Sequence, residues 1–181
     1  MKDQGLPTLV ILTGAGVSAE SGIKTFRDHN GLWENHRIEE VASPAGFRDN
    51  PKLVQTFYNA RRAQLLSPGV KPNAAHLALA DLERHWPGPF LLVTQNVDNL
   101  HERAGSRSVL HMHGELLKVR CARTALVYDR EEAVVEDSRC LCCKVSGTLR
   151  PHIVWFGEMP FEMDRIYERL EACSVFIAIG T

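Results

Sequence analysis

Three polar clusters in this 181-residue chain carry residue types from which chemistry can be built. The first is Gly14-x-Gly16-x-x-Ala19, the spacing of a turn that admits a dinucleotide. Gly14 permits the bend, Gly16 has no Cβ to hold a pyrophosphate off the backbone, and Ala19 lets the next helix pack close. Free N–H groups at the start of that helix favour phosphate. Alone, the pattern suits a purely structural turn equally well. Ser18 and Glu20 lie at the same turn and read as capping and backbone-fixing residues, not as a catalytic pair. The second cluster is Gln95-Asn96-Val97-Asp98, where Asn96 and Asp98 fit either a helix cap or a ligand contact. The third is His113-Gly114; a neutral imidazole there can accept a proton near pH 7, although a lone histidine is as readily structural. His111 alternates with His113 and so shares its strand face, but no role follows for it. His76, His85, His101 and His152 find no matched partner in the sequence.

The thiols form a fourth group. Four of the five cysteines fall between Cys121 and Cys143, which in a reducing compartment points to metal before disulfide. Two C-x-x-C pairs would make a structural zinc site. Here Cys121 is followed by Ala122-Arg123-Thr124, so the first pair has lost its second thiol, while Cys140 and Cys143 keep the spacing. Cys121, Cys140 and Cys143 are the expected ligands, completed by water or another side chain; the alternative is a module that folds without metal. Cys173 reads as a core residue.

Strand-like apolar runs must position these groups. Leu9–Leu12, Phe90–Val93 and Val175–Ile179 suit strands buried on both faces, and Val109–Met112 delivers His113 at its end. Helical patterns lie between them: Leu77, Ala80 and Leu82 in one, and Met163, Ile166, Tyr167 and Leu170 in another. Strands alternating with helices predict an α/β fold, a Rossmann-like parallel sheet with helices on both faces. In such sheets ligands collect beyond the carboxyl ends of the strands, where all three polar clusters fall. Residues 34–71 predict a small helical module, with Leu53, Val54, Phe57, Tyr58, Arg61 and Leu65 at helical spacing. From Cys121 to Pro151 the apolar pattern fades, as in a module held by something other than a core, and Ile153–Phe156 reads as extended. Thr25–Gly31 reads as a polar loop, a lid rather than a connector.

Composition narrows the classes. With 44% hydrophobic and 24% charged residues the chain is an ordinary globular one. A net charge of -1 gives no general attraction to nucleic acid or to anionic membrane. No apolar run approaches the ~20 residues that span a bilayer, and the N-terminus lacks a signal-peptide pattern, so a cytoplasmic monomer is expected.

Gly14-Ala15-Gly16-Val17-Ser18-Ala19-Glu20-Ser21-Gly22-Ile23, Thr25-Phe26-Arg27, Gln95-Asn96-Val97-Asp98, His113-Gly114 and Pro151-His152-Ile153-Val154-Trp155-Phe156-Gly157-Glu158 together resemble the signature set of the sirtuins, in order and across nearly the whole chain. The resemblance implies one catalytic domain. Its Rossmann-like part spans 1–33, 72–118 and 151–181, beside the helical module at 34–71 and a zinc-ribbon-like module at 119–150. It implies an NAD-dependent protein-lysine deacylase. In that family the acyl oxygen attacks the nicotinamide ribose as nicotinamide leaves, a histidine then acts as base on a ribose hydroxyl, and the acyl group leaves on ADP-ribose. Carried across, His113 is the base. The NAD contacts become Gly14, Ala15, Gly16, Ser18, Ala19, Glu20, Ile23, Phe26, Arg27, Trp33, Gln95, Asn96, Asp98, Gly180 and Thr181. Phe26 would shield the ribose carbon from water. Val154, Phe156 and Gly157 resemble the segment that pairs with a substrate peptide. Phe57-Tyr58-Asn59-Ala60-Arg61-Arg62 is similar to the class III branch, where a tyrosine and an arginine at this spacing recognise the carboxylate of succinyl- or malonyl-lysine. The separation of Cys121 from Cys140 matches the family's zinc ribbon, and acyl-lysine-bearing proteins are the implied partners. Sirtuins continue past Gly180-Thr181, so the C-terminal strands of the family fold are expected to be missing. A weak NAD- or ADP-ribose-binding module and a mono-ADP-ribosyltransferase remain as alternatives.

Overall fold

The computed structural model describes residues 6–23, the backbone of 32–33, and residues 36–181. In chain order come β1 (Leu9–Thr13), a 3-10 helix (Ala15–Ser21), β2 (Leu32–Trp33), β3 (His36–Arg37), α1 (Ile38–Val41), α2 (Pro44–Asp49) and α3 (Pro51–Leu65). They are followed by α4 (Ala74–His85), β4 (Phe90–Thr94), α5 (Leu100–Ala104), β5 (Val109–His111), β6 (Gly114–Cys121), β7 (Val127–Asp129), β8 (Leu149–Ile153), α6 (Met163–Glu171) and β9 (Val175–Ile179). Two units result. The described residues up to 23 join Gly69–His113 and Pro160–Thr181 in the first, and those from 32 to Pro68 join Gly114–Met159 in the second.

The first unit is built on a parallel sheet in the order β5-β4-β1-β9. Alternation along β1 and β4 sends side chains to both faces. Leu9, Ile11 and Leu92 pack with Leu79 and Leu82 of α4, whereas Val10, Leu91, Val93 and Leu110 pack with Met163, Ile166 and Leu170 of α6. Each fully buried aliphatic side chain contributes about 1.5–3 kcal/mol, so these two layers hold the sheet. α4 begins in a reciprocal cap: the Asn73 side chain accepts the His76 N–H and the His76 ring accepts the Asn73 N–H. Helices on both faces of a parallel sheet are as expected. Two details differ. Tyr167 is exposed, because Met163, Ile166 and Leu170 already complete the inward stripe of α6. β9, expected to be buried, pairs only with β1 among the described residues, and Phe176 is half-exposed at the sheet's edge. An apolar run reveals β-propensity but not whether anything covers it.

The second unit holds the antiparallel sheet β7-β6-β8 together with α1, α2 and α3. α3 starts at Asn50, whose side chain accepts the Leu53 N–H, with Pro51 at its first position. β6 starts at Gly114, directly after His113, and runs unbroken to Cys121, so its whole length lies in this unit. The cysteine region does have a small core, made by Val119, Cys121, Val134, Cys140 and Leu149. Its members come one or two from each segment, which leaves no periodicity to read in the sequence. β8 stops at Ile153, short of the extended run expected to Phe156, because the Glu158 carboxylate takes the Trp155 N–H and turns the chain.

Candidate functional site

His113 stands at the end of β5, half-buried, and its Nδ1 lies 3.0 Å from the Gln95 carbonyl oxygen. That oxygen can only accept, so Nδ1 carries the proton and the neutral ring presents the lone pair of Nε2. Burial lowers the His113 pKa against the opposing pull of the Gln95 bond, which keeps the ring neutral at pH 7. This is the protonation state a general base requires. His111, for which the sequence suggested nothing, uses the same device one residue along: its Nδ1 lies 3.1 Å from the Asn96 carbonyl oxygen and its Nε2 2.7 Å from Glu102. Two histidines on one strand face thus hold consecutive carbonyls of the 95–98 loop. Their alternation was the visible signal.

The side chains of that loop face the glycine turn. The Asn96 amide donates to the Gly14 carbonyl at 3.0 Å and to Ser18 Oγ at 3.2 Å, and Ser18 donates to Asp98 Oδ2 at 2.9 Å. Asp98 Oδ1 accepts the Leu100 N–H, which caps α5. The capping reading thus holds for Asp98 through Oδ1, while its Oδ2 and the Asn96 amide brace the turn. Burial raises the Asp98 pKa, while the Leu100 N–H and the Ser18 hydroxyl favour the carboxylate. Behind them His76 Nε2 lies 3.5 Å from Ser18 Oγ, and His101 Nε2 lies 3.0 Å from Thr13 Oγ1. Burial depresses both imidazoles, His101 to about 4, so this floor carries no positive charge at neutral pH.

The glycines also do something that the spacing did not suggest. A Cβ on Gly14 would lie 2.7 Å from the Gly180 oxygen and 2.8 Å from the Thr181 Cα, and one on Gly16 would lie 2.9 Å from the Gly180 Cα. Gly180 itself has φ +62, and a Cβ on it would meet the Val17 nitrogen at 2.5 Å. The space that a Cβ would need is taken by the chain's own Gly180, bonded through its carbonyl to the Gly16 N–H at 2.8 Å. Gly14, Gly16, Gly180 and Thr181 are thus brought together. Ala19, expected to allow close helix packing, is exposed beside Glu20, because the turn leads into a 3-10 helix and not an α-helix. Ala15 and Ile23 are half-buried. Phe26 and Arg27 lie outside the described residues, as does the side chain of Trp33. Gly180→Ala is expected to cost about 1–3 kcal/mol in backbone strain alone, read as a melting temperature lower by several degrees; an unchanged value would show that the interlock relaxes freely.

In the second unit Tyr58 is fully buried, its oxygen accepting the Trp155 indole N–H at 2.9 Å. Burial raises its pKa, so the phenol stays protonated. Arg61 lies over the Phe57 ring at 5.2 Å. Arg150 stacks on Trp155 at 3.7 Å and makes a two-pronged bond to Glu158 at 2.8 and 2.9 Å. Val154 is half-buried, while Phe156 and Gly157 are exposed. The N–H groups of Trp155, Phe156 and Glu158 are already bonded within the unit, so backbone pairing with a peptide cannot use them.

The cysteine module gathers one thiol more than expected. The sulfur atoms of Cys121, Cys140, Cys142 and Cys143 all lie within 4.8 Å of one another, and those of Cys121 and Cys143 are 3.8 Å apart. A tetrahedral site with Zn–S bonds of about 2.3 Å has edges of about 3.8 Å, so the four thiols fit zinc. Cys142 fills the vacancy left by Thr124, whose hydroxyl lies 3.0 Å from its sulfur. C-x-x-C spacing could not show this, since Cys142 belongs to neither pair. Burial opposes ionisation of Cys140, but the Cys143 N–H, the Cys142 thiol and the Cys142 N–H together bring it down to about 5. When bound, zinc supplies a closed structural crosslink.

Residues 14–181 match the model of the Sir2 family. The NAD-dependent protein deacylase of Pasteurella multocida (strain Pm70) is 61% identical over 173 residues, 96% of this chain and 74% of the relative. That of Salmonella typhimurium (strain LT2) is 61% identical over 175 residues, 97% of this chain and 64% of the relative. Among solved structures, a Sir2 homologue in complex with NAD superposes with a TM-score of 0.84 at 46% identity, covering 96% of this chain and 68% of that one. A Sir2 variant solved with a p53 peptide and NAD gives 0.75 at 31% identity, covering 96% and 70%. The chain therefore spans between 64% and 74% of the length of these relatives.

Proposed function

This chain belongs to the Sir2 family, and we propose that it serves as an NAD-dependent protein-lysine deacylase, removing both acetyl and succinyl or malonyl groups. One observation carries this reading: the 95–98 loop both fixes the tautomer of His113 and braces the glycine turn, so one short segment ties a neutral base to a nucleotide turn. In the reaction so read, the acyl oxygen displaces nicotinamide from the ribose carbon, and the electron pair of the broken C–N bond leaves with nicotinamide. His113 Nε2 takes the proton of a ribose hydroxyl, that oxygen receives the acyl group, and with one water consumed the lysine amine is freed. We assign Asn96, Asp98 and Ser18 to the nicotinamide and ribose side, with Ile23 beside them and Gly14, Gly16, Gly180 and Thr181 at the phosphates. Phe26, Arg27 and Trp33 are assigned to the cover over the cofactor. A deacylase of this kind works on acyl-lysine-bearing proteins. No helix among the described residues is long and apolar enough to cross a membrane, and a cytoplasmic monomer is the setting we propose.

Incubation with NAD and either acetyl- or succinyl-lysine peptide tests the reading. O-acyl-ADP-ribose is the expected product. ADP-ribose attached to protein would favour the transferase alternative, and NAD binding without product would leave a binding module.

The acyl preference rests on Arg61 and Tyr58, three residues apart on α3. A planar guanidinium suits a carboxylate in two-pronged fashion, and the protonated phenol supplies a neutral donor beside it. Hydrogen bonds to charged groups contribute about 1.5–3 kcal/mol, so Arg61→Met should lower kcat/KM for the succinyl peptide roughly 10- to 150-fold. Deacetylation should change far less. Equal losses for the two peptides would remove the carboxylate pocket from this account.

A further inference from the structure

α3 is bonded to the cysteine module by side chains with no part in the chemistry above. Gln55, Asn59 and Arg62 recur along it at i, i+4 and i+7, one stripe of a helix. Gln55 donates to the Leu149 carbonyl at 2.7 Å, and Arg62 Nε donates to the Leu116 carbonyl at 3.2 Å. Asn59 makes the tightest tie. Its Oδ1 accepts the Val134 N–H at 2.8 Å and its Nδ2 donates to the Val134 carbonyl at 2.8 Å. A side-chain amide that engages both polar groups of one residue fixes distance and rotation together, as neither bond alone would. The same Oδ1 accepts Arg62 Nη1 at 2.8 Å, which helps satisfy a fully buried guanidinium. Val134 and Leu149 lie in the apolar cluster that also contains Cys121 and Cys140. A contiguous chain of packed and bonded groups therefore runs from the thiol cluster through Val134 and Asn59 to the helix that bears Tyr58 and Arg61.

We propose that Asn59 is a positioning residue through which the metal content of the cysteine cluster sets the acyl preference of α3. The proposal rests on the acyl reading given above. With the cluster loaded, Val134 is fixed and α3 holds Arg61 where a carboxylate can reach it. With the cluster empty, Val134 loosens, α3 shifts on its remaining bonds, and selectivity for acidic acyl groups falls before general deacylation does. Coupling of this kind is reciprocal, so a bound succinyl peptide should also raise the affinity for the metal.

The test compares the full chain, zinc-loaded and chelator-stripped, with Asn59→Leu and Asn59→Asp variants. Amide hydrogen exchange over residues 51–65 and over β6 is followed by mass spectrometry, beside kcat and KM for the two peptides. Stripping should speed exchange in α3 of the parent chain about tenfold, the response to one lost or loosened bond of ordinary strength. In Asn59→Leu, α3 should exchange fast even when loaded and should ignore stripping, while β6 still responds. Its succinyl-to-acetyl ratio of kcat/KM should fall severalfold through KM, with kcat for the acetyl peptide unchanged. Asn59→Asp keeps the acceptor for Val134 and Arg62 and should recover part of the ratio. Indifference of α3 exchange to stripping would overturn the proposal, and so would equal losses for both peptides in Asn59→Leu. If α3 follows the metal but no variant processes the succinyl peptide, the acyl reading fails while the tie through Asn59 stands.

Discussion

His113→Ala is expected to lower formation of O-acyl-ADP-ribose by about 10²–10⁴, the range that a positioned general base supplies. Because the base acts after nicotinamide has left, exchange of labelled nicotinamide into NAD should persist in the variant. That split separates a base from a residue that merely holds the fold, which would lose both reactions together. The parent enzyme adds a second reading. Nε2 works only unprotonated, and burial holds the His113 pKa below the ordinary imidazole value of 6.5. Activity should therefore stay flat through neutral pH and fall as pH drops through that lowered value. A profile whose acid limb lay above 7, or a variant with full acyl transfer, would take His113 out of the role.

Cys142→Ser is expected to empty the zinc site under mild chelation and to lower the melting temperature by many degrees. Even partners one step outside the ligands cost about 10- to 100-fold in metal affinity, so loss of a direct thiolate should cost more than about 100-fold. Chelator competition with a zinc-sensitive dye reads this directly. The buried core behind the thiols is small, three residues besides Cys121 and Cys140, too few to hold the module alone. Zinc held equally well by parent and Cys142→Ser would return the site to the three ligands that spacing suggests.

Different parts of the molecule were legible in the sequence to different degrees, for physical reasons. β1 and β4 announce themselves as apolar runs because helices cover both faces, and burial of that kind leaves little choice of side chain, whereas β9 carries an equally apolar run although it is largely exposed. The helix stripe of Met163, Ile166 and Leu170 follows from the same pressure. The partners of Nδ1 in His113 and His111 are backbone carbonyls, and a carbonyl has no letter in a sequence; only the alternation of the two rings hints at them. Gly14 and Gly16 were readable as glycines that need space, but not as glycines that make it for Gly180, since that contact joins segments far apart in the sequence. Cys142 escaped because ligand spacing describes loops, whereas the hydroxyl of Thr124 draws the thiol in through space. Tyr58 could be placed on a helix, but burial beneath Trp155 is a tertiary fact.

The interlock of Gly16 with Gly180 also constrains how this protein comes into being. β1 is synthesised before both of its partners, β4 near residue 90 and β9 near residue 175. On the ribosome β1 must wait as an unclosed template, and the bend at Gly14 cannot settle until Gly180 emerges. Chain closure over such distances slows folding more than it weakens the product, since each doubling of a loop costs only about 0.6 kcal/mol. A nascent chain would thus have little capacity to hold a nucleotide until β9 and Gly180 have emerged and closed against the turn.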